Sequence, residues 1–539
     1  MRFDNEQDRE FLRAAAQSLQ DENARLRAER VAFLAQDARR QARLAELEEL
    51  AQRQKEELER LEQENRLLRE QLDRRLKELY GRKSERRPTG ESAVPPPEEP
   101  GSTAPKKERK RKPQTGHGPT PQPALPITEV TSQLDGQALG CESCGGTLEP
   151  MGHEQEVAEL IALEQRKVVL ERHLRTKYHC PTCHIGVKTA PGPVKLIAGG
   201  RYALSFAVEV AYLKYLAHLP LDRQAKIFGH EGLIVGTAAL YDQIDALATA
   251  LAPTYQAIWK ALQAEPVLFA DETPWAVLSN GYTENERFYV WVAVGNQYVG
   301  YKLLDTRSKE GAATILGDFS GTLLVDGLTS YPAAAKANSG EKPRFVVANC
   351  HAHARRRFVD AKPHYPKESQ VAIELYEKLY EIERAGKPPG VNLAALRDEK
   401  SRPLIDKLFT WAKEQQKRRD ILPSSSLANA LAYLVNHEEG LRVFLDNPAV
   451  AIDNNSSERA LRGPVLGRKN SYGSRSRRGT DTAAILYTLT ESAKRIGVNP
   501  KAYLQAAAEH ALIVAGDVLL PDEFKRQLEA DSVPPPKTD

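Results

Sequence analysis

For its first eighty residues the chain repeats an apolar residue every seventh position, and that pattern admits little besides one long helix. In a single heptad register Leu12, Leu19, Leu26, Phe33, Leu47, Leu61 and Leu68 fall at d, and Leu44, Ala51, Leu58, Asn65, Leu72 and Leu79 fall at a. The flanks are almost wholly charged, so the apolar stripe is too narrow to build a globular core. A solvated single helix is the alternative to a coiled coil. Asn65 at an a position is a device that fixes a parallel two-stranded register. Arg30, Asp37 and Arg40 interrupt the seam, and a break or loosening is expected there. At 1.5 Å per residue such a helix reaches on the order of 100 Å.

Beyond it the composition changes. Residues 82–128 form a Pro-rich linker, stiffened by Pro95-Pro96-Pro97, in which Lys106 to Lys112 carries six bases and one acid. That run suits either a phosphate backbone or a solubilising tether. Residues 129–195 hold Cys141-x-x-Cys144 and Cys180-x-x-Cys183. Four thiolates in two pairs complete a closed tetrahedral Zn²⁺ site, structural rather than catalytic, in a zinc-ribbon-like module. Between the pairs a hairpin is expected from Val157–Leu163 and Lys167–Tyr178. Redox-active pairs are the rival. Five cysteines in 539 residues fit a reducing cytosol better than a disulfide framework. No apolar run is long enough for a membrane span.

Residues 196–262 read as helices. Tyr202–Leu219 ends at Pro220, and Leu221–Phe228 and Thr237–Leu251 flank a glycine-bearing turn, as in a helix-turn-helix. Thr237, Tyr241 and Gln243 would lie near the start of its second helix. From 266 the pattern turns to strands: Pro266–Asp271, Phe288–Val294, Tyr298–Leu304, Thr322–Asp326 and Arg344–Asn349, with a helix from Lys309 between the third and fourth. Three strands in hairpin order followed by alternation with helices is the order of a ribonuclease-H-like α/β core. The core is assigned to 263–364 and 451–500, interrupted by a helical insertion at 365–450 and followed by a C-terminal segment, 501–539. The fold class is thus multidomain α+β, with the coiled coil at 1–81.

Three acids stand out. Asp271 and Asp326 close strands, and Glu458 enters a helix four residues after Asn454. Hard oxygens from three elements suit two Mg²⁺ (or Mn²⁺) ions, as phosphodiester cleavage requires. Glu272, by strand alternation, is expected to face away from Asp271. Asp453 is expected as the helix N-cap. Cys350 reads as a small core residue, whereas His351 and His353 suit either packing or a phosphate contact. Arg462–Arg478 holds six bases and no acid; Arg459, Arg462, Arg468 and Lys469 are the candidate phosphate contacts.

The stretches Phe269-Ala-Asp-Glu-Thr-Pro-Trp275, Val325-Asp-Gly-Leu-Thr-Ser-Tyr331, Cys350-His-Ala-His-Ala-Arg-Arg-Arg-Phe358 and Asp453-Asn-Asn-Ser-Ser-Glu-Arg-Ala460 together resemble the DDE transposases of the insertion sequence 66 family. Gly467-Arg-Lys-Asn470 and Asn499-Pro-Lys-Ala-Tyr-Leu504 extend the likeness, and the zipper and Cys₄ module resemble that family's layout. Asp271, Asp326 and Glu458 occupy the positions of its catalytic acids. The resemblance implies binding to the terminal inverted repeats of the element and to target DNA, metal-dependent cleavage, and joining of the freed 3′-OH. It also implies a bacterial, cytoplasmic, nucleoid-associated enzyme, a homodimer through the zipper, and helper proteins from the same element. Where the family commonly has Trp then Phe after Arg-Lys-Asn, this chain has Ser471-Tyr472-Gly473-Ser474, leaving Tyr472 as the aromatic. Two other classes use the same residues: a ribonuclease-H-fold nuclease or resolvase without strand transfer, and a zinc-containing DNA-binding regulator with structural acids.

Overall fold

The computed structural model describes residues 6–80, 168–174, 176–179, 187–189, 192–279, 284–336, 343–514 and 516–531. The linker and the four paired cysteines, Cys141, Cys144, Cys180 and Cys183, lie outside the described residues.

Helix α1 (Glu6–Tyr80) is continuous. The expected break at Arg30, Asp37 and Arg40 does not occur. The two arginines are good helix formers, one aspartate costs only a fraction of a kcal/mol, about 0.7 at most, and a helix needs no apolar seam to propagate. The seam itself is exposed, with Leu19, Leu58 and Leu72 each more than half accessible. This geometry fits a coiled-coil strand. Strands β1 (Lys177–His179) and β2 (Val187–Thr189) form a short antiparallel hairpin. It differs from the expected one: residues 168–174 carry no strand, and Cys180 and Cys183 fall in sequence between β1 and β2.

Helices α2 (Leu204–Tyr215), α3 (Leu221–His230), α4 (Thr237–Ala250) and α5 (Ala252–Gln263) follow. Then come β3 (Val267–Ser279), β4 (Glu284–Val294), β5 (Val299–Leu304), α6 (Lys309–Leu316), β6 (Thr322–Val325), α7 (Ser330–Lys336), β7 (Val346–Asn349) and α8 (His351–Ala361). The insertion comprises α9 (Pro366–Ala385), α10 (Leu393–Leu396), a π turn at Arg397–Ser401, α11 (Arg402–Gln415), α12 (Ser426–Asn436) and α13 (Glu438–Asp446). Helices α14 (Asn455–Ser471), α15 (Arg477–Ile496), α16 (Pro500–Ile513) and α17 (Pro521–Asp531) complete the chain.

One five-stranded mixed sheet has the order β5-β4-β3-β6-β7. Its first three strands are antiparallel, and β3, β6 and β7 are parallel. Val290 to Val294 of β4 are all fully buried, so this central strand is apolar without alternation. On the parallel half the alternation is plain. Leu268, Ala270 and Leu323 enter a core shared with α2, α4, α5 and α15–α17, whereas Val267, Leu324 and Ala348 enter a second core with α8 and the insertion. The edge strand β5 is covered rather than left open. The Val299 and Tyr301 amides donate to the hydroxyls of Ser492 and Thr488 on α15, at 3.0 and 2.9 Å.

Strand β3 does not stop at Asp271 as expected but runs on to Ser279 along β4. Pro274 is tolerated because β6 has already left β3 there, so no ladder bond is lost on that side. Further on, β3 is clamped by Ser474, whose amide donates to Ala276 O and whose carbonyl accepts from Leu278 N.

Candidate active site

The position of two acids follows from register. Phe269 pairs with Leu324 at the last rung of the parallel β3–β6 ladder, so Asp271 and Asp326 each lie two residues further on. Equal offsets on neighbouring parallel strands put both side chains on one face, that of Val267 and Leu324, at the carboxyl mouth of the strands. Asp326 is fixed further by its Oδ1, which accepts from the Leu328 amide at 3.0 Å. Gly327 follows with φ +110°, and a Cβ there would stand 2.7 Å from the Tyr433 hydroxyl. Glycine is required on both counts.

Glu272 joins them. Single oxygens of Asp271, Glu272 and Asp326 lie within 4.8 Å of one another. The expectation that Glu272 is turned away is therefore corrected. Alternation governs where Cβ points, but a glutamate is long enough to curl back. Arg307 draws it in with Nε and Nη2 donating to Oε1 at 2.9 and 2.6 Å, and the Tyr331 hydroxyl donates to Oε2 at 3.0 Å.

Burial and crowding both bear on how these acids ionise. Burial, then the Glu272 and Asp326 charges, push the Asp271 carboxyl up to about 8, against a smaller opposing bond from the Glu272 amide. Burial also raises Glu272, and Arg307 offsets part of that rise.

Glu458 arrives from α14. It stands outside the tight group, yet within electrostatic reach of Asp271, to whose rise it contributes. The helix start that carries it is pinned by Asn454. Its fully buried side chain donates to Ala270 O of β3 at 2.8 Å, and its backbone N–H donates to Cys350 Sγ at 3.1 Å. Asn454, not Asp453, is the N-cap residue; the Asp453 carboxylate accepts from the Asn455 amide instead. Cys350 is a buried core residue, as read from sequence. The two histidines divide. His351 is fully buried, bonded to Leu441 O and packed on Tyr376 and Phe444, while His353 Nε2 lies 3.7 Å from Glu458 Oε1.

Around the acids, Arg459, Arg462 and Lys469 are exposed on α14. Arg468 instead turns onto β3, donating to Pro274 O. On another side Gly467 lets α14 lie against α15, since a Cβ there would meet the Tyr487 hydroxyl at 2.2 Å. Tyr472 caps α14 in the left-handed region and is 72% exposed. On α4, Thr237 is exposed, Gln243 is buried, and the Tyr241 hydroxyl donates to Asp245. Neither Arg307 nor Tyr331 was singled out from sequence; both lie far along the chain from Glu272 and carry no local signal.

The donor set is all hard oxygen, and burial together with neighbouring charge disfavours ionisation of Asp271. Such a group fits a divalent cation, which relieves the repulsion. The uncharacterised protein y4jD of Sinorhizobium fredii is 31% identical over 409 residues, covering 74% of this chain and 78% of its own length. The uncharacterised protein y4hP of the same organism is 29% identical over 413 residues, covering 72% and 73%. The family described as "Transposase IS66 family" matches residues 199–482, a span that contains all four acids together with the helices and sheet that carry them, and to that family the chain belongs.

Proposed function

We propose that the protein is a DNA transposase that binds the terminal inverted repeats of its own element, cleaves the strands with divalent metal, and joins the freed 3′-OH to target DNA. The observation that carries this reading is the shared offset of Asp271 and Asp326 beyond one ladder rung, with Glu458 brought alongside from a distant helix. The strand order, three antiparallel then two parallel, supports a ribonuclease-H-like core.

Asp271, Asp326 and Glu458 are the residues that would hold Mg²⁺ or Mn²⁺, and a bound pair of ions supplies charge neutralisation at the attacking and leaving oxygens. The protein's own groups do the remainder. Arg307 and Tyr331 hold Glu272 and temper its charge beside the site. Asn454 and Arg468 fasten α14 to β3, so that Glu458 faces the strand acids. Arg459, Arg462 and Lys469 offer charge to phosphates. Exposed Tyr472, beside the β3 extension, offers a ring for stacking on an unpaired base. Thr237 and Tyr241 on α4 are assigned to end recognition. Cys141, Cys144, Cys180 and Cys183 are assigned to structural Zn²⁺, and the β1–β2 hairpin that brackets the second pair supports this. The exposed seam of α1 is assigned to a homodimer.

Asp326→Asn tests the proposal on end-bearing DNA. Cleavage and joined product should vanish while gel-shift binding persists. Unchanged cleavage would refute the site. Wild-type cleavage with no joining of pre-cut ends would favour a nuclease.

A further inference from the structure

Glu70 breaks the rule of its helix. Its neighbours on α1 face solvent, yet Glu70 is 3% exposed. Its Oε2 accepts from the Ser426 amide at 2.7 Å, at the first residue of α12. A carboxylate there meets the free amides and positive end of the helix. Two contacts flank it: Asp73 lies 3.2 Å from His364, and the Arg66 guanidinium stands 5.7 Å over the Tyr365 ring.

The same helix ends at the acids. Seven residues after Ser426, about 10 Å along the axis, the Tyr433 hydroxyl donates to the Asp326 carbonyl. The Tyr433 ring is held by Arg357, 4.1 Å above it, and stacks on His437 at 4.3 Å. Between the two ends, Leu427, Ala430, Leu431 and Leu434 are buried, so α12 moves as one piece or not at all.

We propose that α12 is a strut coupling the seating of α1 to the position of Asp326, with Glu70 and Tyr433 as positioning residues for the acid cluster. The proposal rests on Asp326 being a metal ligand. Coupling of this kind is reciprocal: a seated α1 raises cation affinity, and a bound cation tightens the seat. The helix that presents the leucine seam is thereby linked to the chemistry.

The test is calorimetric titration of the full chain with Mn²⁺. Wild type, Glu70→Ala, Tyr433→Phe and the double variant are compared, with Asp326→Asn marking the site. Each single change should weaken binding about 3- to 10-fold. The double variant should be no weaker than Tyr433→Phe alone, because both changes cut one connection. Glu70→Ala with wild-type affinity, or losses that multiply, overturns the strut. Should Glu70→Ala prove too unstable to titrate, wild-type affinity in Tyr433→Phe overturns it alone. A wild-type chain that binds no Mn²⁺ sinks the metal-site reading and the strut with it.

Discussion

At the scale of single residues the acid cluster trades stability for chemistry. Asp271 takes its proton near pH 8 in the fold, against about 4 when unfolded. The unfolded chain therefore ionises first, and the ion-free fold loses stability as pH rises from about 4 to about 8. Asp271→Asn removes that slope. Without divalent ions at pH 8 the variant should be the more stable protein, by roughly 1–3 kcal/mol after allowing for partial exposure. Thermal melts in chelator across pH 4–8 check this, and the gap should close on acidification; a gap constant with pH contradicts the cause given. Arg307→Ala acts the other way. It leaves the Glu272 side chain, 1% exposed, with the Tyr331 hydroxyl as its remaining donor beside two other acids. A loss of roughly 1–3 kcal/mol is expected, reduced by the half-exposure of Arg307, and chemical denaturation measures it.

Among the elements, the insertion is held by a residue that no motif announced. Arg397, in the π turn, is 1% exposed and fully engaged. It forms a two-point pair with Glu383, 2.7 Å at both contacts, and donates to the carbonyls of Phe444 and Asn447. Arg397→Ala strands the largely covered Glu383 carboxylate and two carbonyls, and should cost roughly 3–5 kcal/mol. A melting temperature within a degree of wild type would refute that role. The elements differ in how openly the sequence declares them. The helix α1, the five strands and the helical insertion are written in local periodicity, and the offset that unites Asp271 and Asp326 follows from acids set just beyond apolar runs. Glu272 was misjudged because alternation describes Cβ directions, while its partners Arg307 and Tyr331 enter from elsewhere in the chain. The full reach of β3 was hidden for the same reason, since its far end depends on β4 and on Ser474. Asn454 was legible as a neighbour of Glu458 but not as its tether to β3.

Over the whole molecule, α1 stands apart in composition, charged throughout with an exposed leucine seam. Deleting residues 1–80 should turn a dimer into a monomer in dilute solution, read by sedimentation velocity; a dimer of unchanged strength places the main interface elsewhere. By the strut proposal the same deletion also weakens Mn²⁺ binding. Replacing Cys141 and Cys180 with Ser should abolish bound zinc and weaken end binding; normal binding with no zinc in the wild type would refute a structural metal there.

The insertion lies in sequence between Asp326 and Glu458. In order of synthesis α1, the basic linker and the two strand acids are complete long before Glu458 emerges. By the homodimer proposed above, a chain that ends within the insertion would pair with an intact copy through α1 while lacking Glu458. Co-expression of the two should then lower cleavage below that of the intact chain alone.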